Sequence, residues 1–174
     1  MTTVWLFTAA WGATVAEIVA GTHGWYIPIL ALFCFYAAVV FGWQRTLLPA
    51  ATAAVLLDTT LARTSFASVL LLVVVFWLAR NWVRFGECGT AWLQAVPGAA
   101  AGLLWGGGVI LTESLLVERW GWHLLRHDSW LLLQAGLSGA VFLPLVVRAA
   151  DAAANRMGFP LYADVQKKRG LTHA

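Results

Sequence analysis

The feature that most constrains this chain is its succession of long apolar runs separated by short charged punctuation, such as LLLVVVFWLA from Leu70 to Ala79. Each run approaches the roughly 17 to 25 residues a helix needs to cross about 30 Å of hydrocarbon. A lipid-exposed backbone must satisfy its own hydrogen bonds, so only helices or a closed barrel can span a bilayer, and barrel strands alternate apolar with polar residues. These runs do not alternate. The sequence therefore predicts an all-α integral membrane protein, a polytopic bundle of about six transmembrane helices. Composition agrees: 61% of the 174 residues are hydrophobic and 11% charged, against about 25% charged in an ordinary soluble domain. That length accommodates one membrane domain over residues 1–150 and a short basic cytoplasmic tail over 151–174, with no room for a separate soluble catalytic domain.

The expected spans are Val4 to Ala20, Tyr26 to Gly42, Thr46 to Ala62, Phe66 to Ala79, Ala91 to Val117 and Ser129 to Ala150. The fourth is short for a crossing unless Asn81 and Trp82 extend it while Arg80 and Arg84 snorkel to the interface. Five spans is the competing count. Pro28 suits the first turn of a helix, where its missing N–H costs nothing, and Asp128 or Ser129 suits a cap of the last one. Pro49, Pro97 and Pro144 are expected to kink or start helices. Six spans put both termini on one side. The positive-inside rule makes that side the cytoplasm, leaving Arg45, Arg80, Arg84, Arg148, Arg156, Lys167, Lys168 and Arg169 inside and Arg63, Arg119 and Arg126 outside. The basic tail is then expected beside an anionic inner leaflet of membrane lipid, its charges setting topology rather than recognising one lipid.

Many of the 11 tryptophans, including Trp25, Trp43, Trp82, Trp120, Trp122 and Trp130, fall near expected helix ends and read as interfacial anchors. Cys34 in an apolar run and Cys88 in a charged loop are read as reduced. The first segment lacks a basic leader and carries Glu17, so it reads as a span rather than a cleaved signal. His123 and His127 lie four apart in a loop, a spacing that would suit a metal on a helix, but no third ligand accompanies them.

Three features stand out as candidates for function. Gly98, Gly102 and Gly106 recur at four-residue spacing and line one helix face where another backbone can approach closely. The favoured occupant is a helix of the same bundle, the one carrying Gly136 and Gly139, with a partner protein as the alternative. Glu17, Asp58 and Glu113 lie within or near the ends of apolar segments, where a lone carboxylate costs several kcal/mol unless it is paired, hydrated or protonated. Arg63, five residues after Asp58, is the natural partner near the outer interface. Asp58 and Glu113 are expected in one polar cluster there, as a structural tie, a docking surface or part of a small-molecule site.

Soluble-enzyme signatures are missing: the chain has no phosphate-cradling glycine loop, zinc motif or nucleophile elbow. Intramembrane proteolysis would need a serine with a histidine, or paired aspartates, inside the spans, and the histidines fall outside them. No enzymatic activity, cofactor, metal or nucleic-acid partner is expected. Proton-coupled transport through Glu17 or Asp58 stays open, although the paired half-repeats of a secondary transporter are not visible.

The segment LLPAATAAVLLDTTLARTSFASVLLLVVVFWLAR, Leu47 to Arg80, resembles the rod shape-determining protein MreD family. The likeness lies in a small-residue helix entering a Leu56-Leu57-Asp58 step, a short loop, and an aliphatic helix ending in arginine. The closing FLPLVVRAADAAANRMG is similar to the family's last helix and short basic tail. Alanine replaces much of the glycine usual before the aspartate, and the following loop, Arg63 to Ser68, has no glycine. The resemblance implies a multi-pass protein of the bacterial inner membrane with both termini in the cytoplasm. It also implies a non-enzymatic scaffold of the cell-elongation machinery that makes peptidoglycan. Such a scaffold binds the bitopic protein MreC and works with MreB, RodA and a class B penicillin-binding protein. Asp58, Arg63 and the outer ends of the third and fifth helices would then be docking positions. The family also looks like the substrate-binding subunits of energy-coupling-factor vitamin transporters. That alternative implies an outer pocket lined by Trp105, Glu113 and the loop after Asp58, and a small-residue docking face at Ala9, Ala10, Ala13 and Ala16.

Overall fold

The computed structural model describes residues 1–63, 66–85, 91–116, 122–162 and 164, with the side chains at 85, 91, 92, 113, 116 and 122–128 outside that description. Among the described residues there are six helices: α1 Thr2–Thr22, α2 Ile29–Phe41, α3 Trp43–Thr60, α4 Ala67–Phe85, α5 Ala91–Leu116 and α6 Trp122–Arg156. Four of them contain stretches long and apolar enough to cross a membrane: Thr2–Thr22, Ala67–Arg84, Leu93–Thr112 and Ser129–Arg156. The chain is a multi-pass helical membrane protein. The fourth segment does extend through Asn81 and Trp82, reaching the length of a span.

The sixth helix runs Trp122–Arg156 rather than from Ser129 to Ala150, so Asp128 and Ser129 lie inside it and do not cap it. The second helix departs from expectation as well. It starts at Ile29 rather than Tyr26 and has 13 residues, about 20 Å at 1.5 Å per residue. Every residue from Leu30 to Ala37 is buried. A helix apolar on all sides belongs inside a bundle, and α2 packs against each of the other five helices. Pro28 stands at its N-cap, and Gly42, with φ of 85°, turns the chain directly into α3. Pro49, Pro97 and Pro144 all lie inside helices.

The most extensive helix pair is α5 with α6. A side chain at Gly98 would strike the backbone carbonyl of Gly139, one at Gly102 the carbonyl of Ala135, and one at Gly139 the carbonyl of Gly98. A Cβ on Gly106 would lie 2.9 Å from the Ala135 methyl, and one on Gly136 3.0 Å from Leu103. In lipid no hydrophobic force drives helices together, so such close backbone approach is what gains dispersion contact. The glycine face is thus filled from within the molecule. On the other side, α1 meets α3 through Thr14, whose buried hydroxyl donates to the carbonyls of Ala10 and Ala53. Ala10 is buried, and Ala9 and Ala13 pack against the same core, so of the four alanines only Ala16 is exposed.

Contacts along the helices define two ends. At the end carrying Met1 and the tail, Trp5 lies among Phe33, Phe41 and Phe159, with centroids 5.4–6.0 Å apart. There α6 runs six residues past Ala150, then turns through Gly158, and the chain folds back beneath the bundle. Asp151 accepts hydrogen bonds from the Tyr36 hydroxyl at 2.8 Å and the Tyr162 backbone N–H at 3.0 Å. Tyr162 is buried and stacks on Tyr36. The start of the tail is therefore part of the packed structure. Trp25 and Trp43 are exposed near helix ends, Trp130 is exposed but lies more than two turns inside α6, Trp82 is half-buried, and the side chains of Trp120, Trp122, His123 and His127, like Cys88, lie outside the described residues.

Candidate functional site

At the opposite end, two buried carboxylates play the same structural part in successive helical hairpins. Glu17, in the last turns of α1, accepts the backbone N–H of Leu30 at 2.8 Å. Asp58, near the end of α3, accepts the backbone N–H of Ser68 through Oδ2 at 3.0 Å. Leu30 and Ser68 are each the second residue of their helix. The first N–H groups of a helix have no partner within it, and in a membrane an unmet donor costs several kcal/mol. Each carboxylate supplies that partner from the preceding helix, where its negative charge also meets the positive end of the helix dipole.

Asp58 carries more than a cap. Its Oδ1 accepts from the Ser68 hydroxyl at 2.6 Å and from Arg63 Nη1 at 3.1 Å, while Arg63 Nη1 also donates to Ser68 Oγ at 2.7 Å. Asp58 is 1% exposed, Ser68 fully buried and the Arg63 side chain 9% exposed. The local backbone explains how Arg63 arrives there. The N–H of Arg63 donates to the carbonyl of Asp58 and that of Ala62 to the carbonyl of Thr59, the paired bonds of a Schellman turn. The turn reverses the chain over the end of α3 and brings the guanidinium back onto the carboxylate. It requires a left-handed residue, and Ala62 takes φ of 48°. The equivalent bonds at the ends of α1 and α6 use Gly24 and Gly158.

Tyr26 lies near Glu17 and Arg63. Arg63 and Asp58 are close enough to act electrostatically on Glu17, and the buried Trp105 lies beside it. The Trp105 indole N–H faces Glu17 and the Tyr26 hydroxyl faces Arg63, but among the described residues neither forms a well-shaped hydrogen bond, although both atoms are buried. Buried groups held so loosely are uncommon in a satisfied core. The Ser138 hydroxyl on α6 ties the segment down by donating to the Tyr26 carbonyl at 3.1 Å.

Of the four candidate polar residues, the structure gathers Glu17, Asp58 and Arg63 into one corner. The backbone of Glu113 lies in α5, but its side chain is outside the described residues, as is any cluster it forms with Asp58. Ser68 and Tyr26 were not legible as members from sequence. Ser68 sits in a loop-like Thr-Ser-Phe-Ala-Ser stretch, and its only signal was a hydroxyl next to the start of an aliphatic run. Among the described residues no group of three or more His, Cys, Asp or Glu side chains is placed to hold a metal ion. Compared with family models, with curated proteins and with solved structures, the chain matches none.

Proposed function

We propose that this protein acts by binding, as a non-enzymatic scaffold of the bacterial cell-elongation machinery in the inner membrane, with six spans and both termini in the cytoplasm. Its direct partner is an MreC-like bitopic protein, and MreB, RodA and a class B penicillin-binding protein complete the assembly. The observation that carries this reading is the hairpin of α3 and α4, which falls within the segment that resembles the MreD family. There Asp58, Arg63 and Ser68 are consumed in bonds to one another, which ties the end of α3 to the start of α4 while Leu61 and Phe66 stay exposed, Phe66 at 60%. Two helix ends tied together with outward apolar side chains suit recognition of another protein, since less ordering remains to oppose association. Asp58 and Arg63 are too enclosed to touch a partner, and their part is to shape the surface that does.

One observation favours the second reading, a substrate-binding subunit of an energy-coupling-factor vitamin transporter. The buried Tyr26 hydroxyl and Trp105 N–H, loosely held beside Arg63 and Glu17, are the kind of polar groups that fix a small solute in an apolar site. Weighing against it, three of the four alanines that would dock the energising subunit pack into the chain's own core.

The test is gentle solubilisation from the native membrane, identification of what co-purifies, and a scan for bound small molecules, with wild type beside Phe66→Ser. MreC-like and RodA-like proteins recovered with wild type and depleted with Phe66→Ser support the scaffold. An ATPase pair with a bound vitamin would overturn it in favour of transport.

A further inference from the structure

The molecule carries a second polar feature, at the end bearing the termini. A groove of about 390 Å³ opens between the end of α2, the start of α3 and the last turns of α4. Arg80 and Arg84, four residues apart on α4, and the half-exposed Trp43 form its rim, while Ala38, Phe76 and Val83 form an apolar wall. Phe76 precedes Arg84 by two helical turns, about 12 Å at 1.5 Å per residue. The groove therefore grades from apolar within the bundle to cationic at its end. Both arginines are exposed, and among the described residues neither has an acidic partner. The α3 helix begins on the same groove at Gly42 and Trp43, with no side chain capping its first N–H groups.

Arginines at the end of a spanning helix need no ligand to explain them, since they set topology and complement the negative end of the helix dipole. That account says nothing of the groove itself or of the apolar wall leading away from the charges. We propose that this groove is a binding site for an anionic phospholipid, with the phosphodiester held between Arg80 and Arg84 and the first turn of α3, and an acyl chain lying along Phe76 and Val83. Guanidinium donors match phosphate oxygens in a fork that a single ammonium cannot offer. Trp43 sits where an indole prefers the glycerol and carbonyl level of a bilayer. Basic pockets between helices at a membrane surface are a recurring way of holding acidic head groups. The inference stands on the groove alone and does not depend on the scaffold reading.

The test uses the full-length protein in detergent micelles doped with equal phosphatidylglycerol and phosphatidylcholine, with retained lipid counted by native mass spectrometry. Wild type should retain phosphatidylglycerol over phosphatidylcholine by about thirtyfold, as two charges near a surface would give. The double variant Arg80→Gln with Arg84→Gln should lose that preference. Arg148→Gln, an exposed arginine outside the groove, should keep it, which separates a site from general positive charge. Thermal melting of each variant shows that the bundle is intact; should the double variant fail to fold, Phe76→Trp, which fills the apolar wall, should lower phosphatidylglycerol retention in its place. Equal retention of both lipids by wild type, or equal loss in all arginine variants, would overturn the proposal. So would displacement of the lipid by millimolar inorganic phosphate, since the site would then recognise the free anion.

Discussion

Ala62 carries a conformation that chains of L-residues seldom adopt. Gly24 and Gly158 do the same work at the ends of two other helices without penalty, whereas a Cβ in the left-handed region costs about 1–2 kcal/mol. That strain is held by the bonds it makes possible: the reversed turn, the Arg63 guanidinium and the carboxylate it covers. Two substitutions four residues apart should consequently move stability in opposite directions. Ala62→Gly should stabilise the solubilised protein by about 1 kcal/mol, read as a higher melting temperature. Asp58→Ala leaves a nearly buried guanidinium uncompensated and the Ser68 N–H without a partner, and should cost about 3–5 kcal/mol. A loss under 1 kcal/mol for Asp58→Ala would mean that water reaches this corner and that the ion pair is not structural. Asp58 and Arg63 were legible as a pair from their spacing and from the cost of a lone charge near lipid. Ser68 was not, because a serine ten residues away announces no tertiary partner.

The helices divide by what surrounds them. The all-round apolarity of α2 suits it to the centre, but hydropathy does not say which faces of the other helices turn outward, as Trp11 and Trp77 do. Boundaries moved where local geometry intervened: α2 lost its first three expected residues to the extended approach to Pro28, and α6 gained the turns that carry Asp151. The α5 and α6 pair shows how small residues act at this scale. Leu at position 102 would drive a side chain into the Ala135 carbonyl, which cannot retreat as a flexible side chain could. Gly102→Leu should therefore destabilise by about 1–3 kcal/mol or more, with helix content retained and the melt less cooperative. Gly12→Leu is the control. That glycine sits in α1 with nothing within 4 Å of an added Cβ, so its replacement should change stability by less than about 0.5 kcal/mol. Equal effects of the two would show that α5 and α6 do not pack through their glycines.

Across the whole molecule, the two ends differ in how they are closed. One is tied by carboxylates to the starts of α2 and α4; the other is closed by aromatic packing around Trp5 and by the chain folding back onto Asp151. Among the described residues Arg45, Arg80, Arg84, Arg148 and Arg156 lie towards the second end and Arg63 at the first, and the positive-inside rule would put the second end in the cytoplasm. Single cysteines introduced into a variant lacking Cys34 and Cys88, at exposed His23 and at exposed Asn155, should settle the orientation. An impermeant maleimide applied to intact cells should label position 23 and spare position 155. The reverse pattern would invert the bundle and place the Asp58 corner beside cytoplasmic partners.

Helical class and the approximate positions of the four helices long and apolar enough to cross a membrane follow from the sequence alone, because they depend on local composition and on backbone hydrogen bonds that lipid cannot supply. The pairing of Asp58 with Arg63 and the closeness promised by Gly98 and Gly102 were also readable, since both are stated within one short segment. Only the tertiary structure decided that the other five helices all pack against α2, that Glu17 and Asp58 cap the helices after them, and that Tyr36 meets Asp151 across 115 positions. Those outcomes depend on which surfaces meet: the unbroken apolar sequence of α2 marks a helix to be buried, but hydropathy does not say which helices cover it or which distant side chains pair.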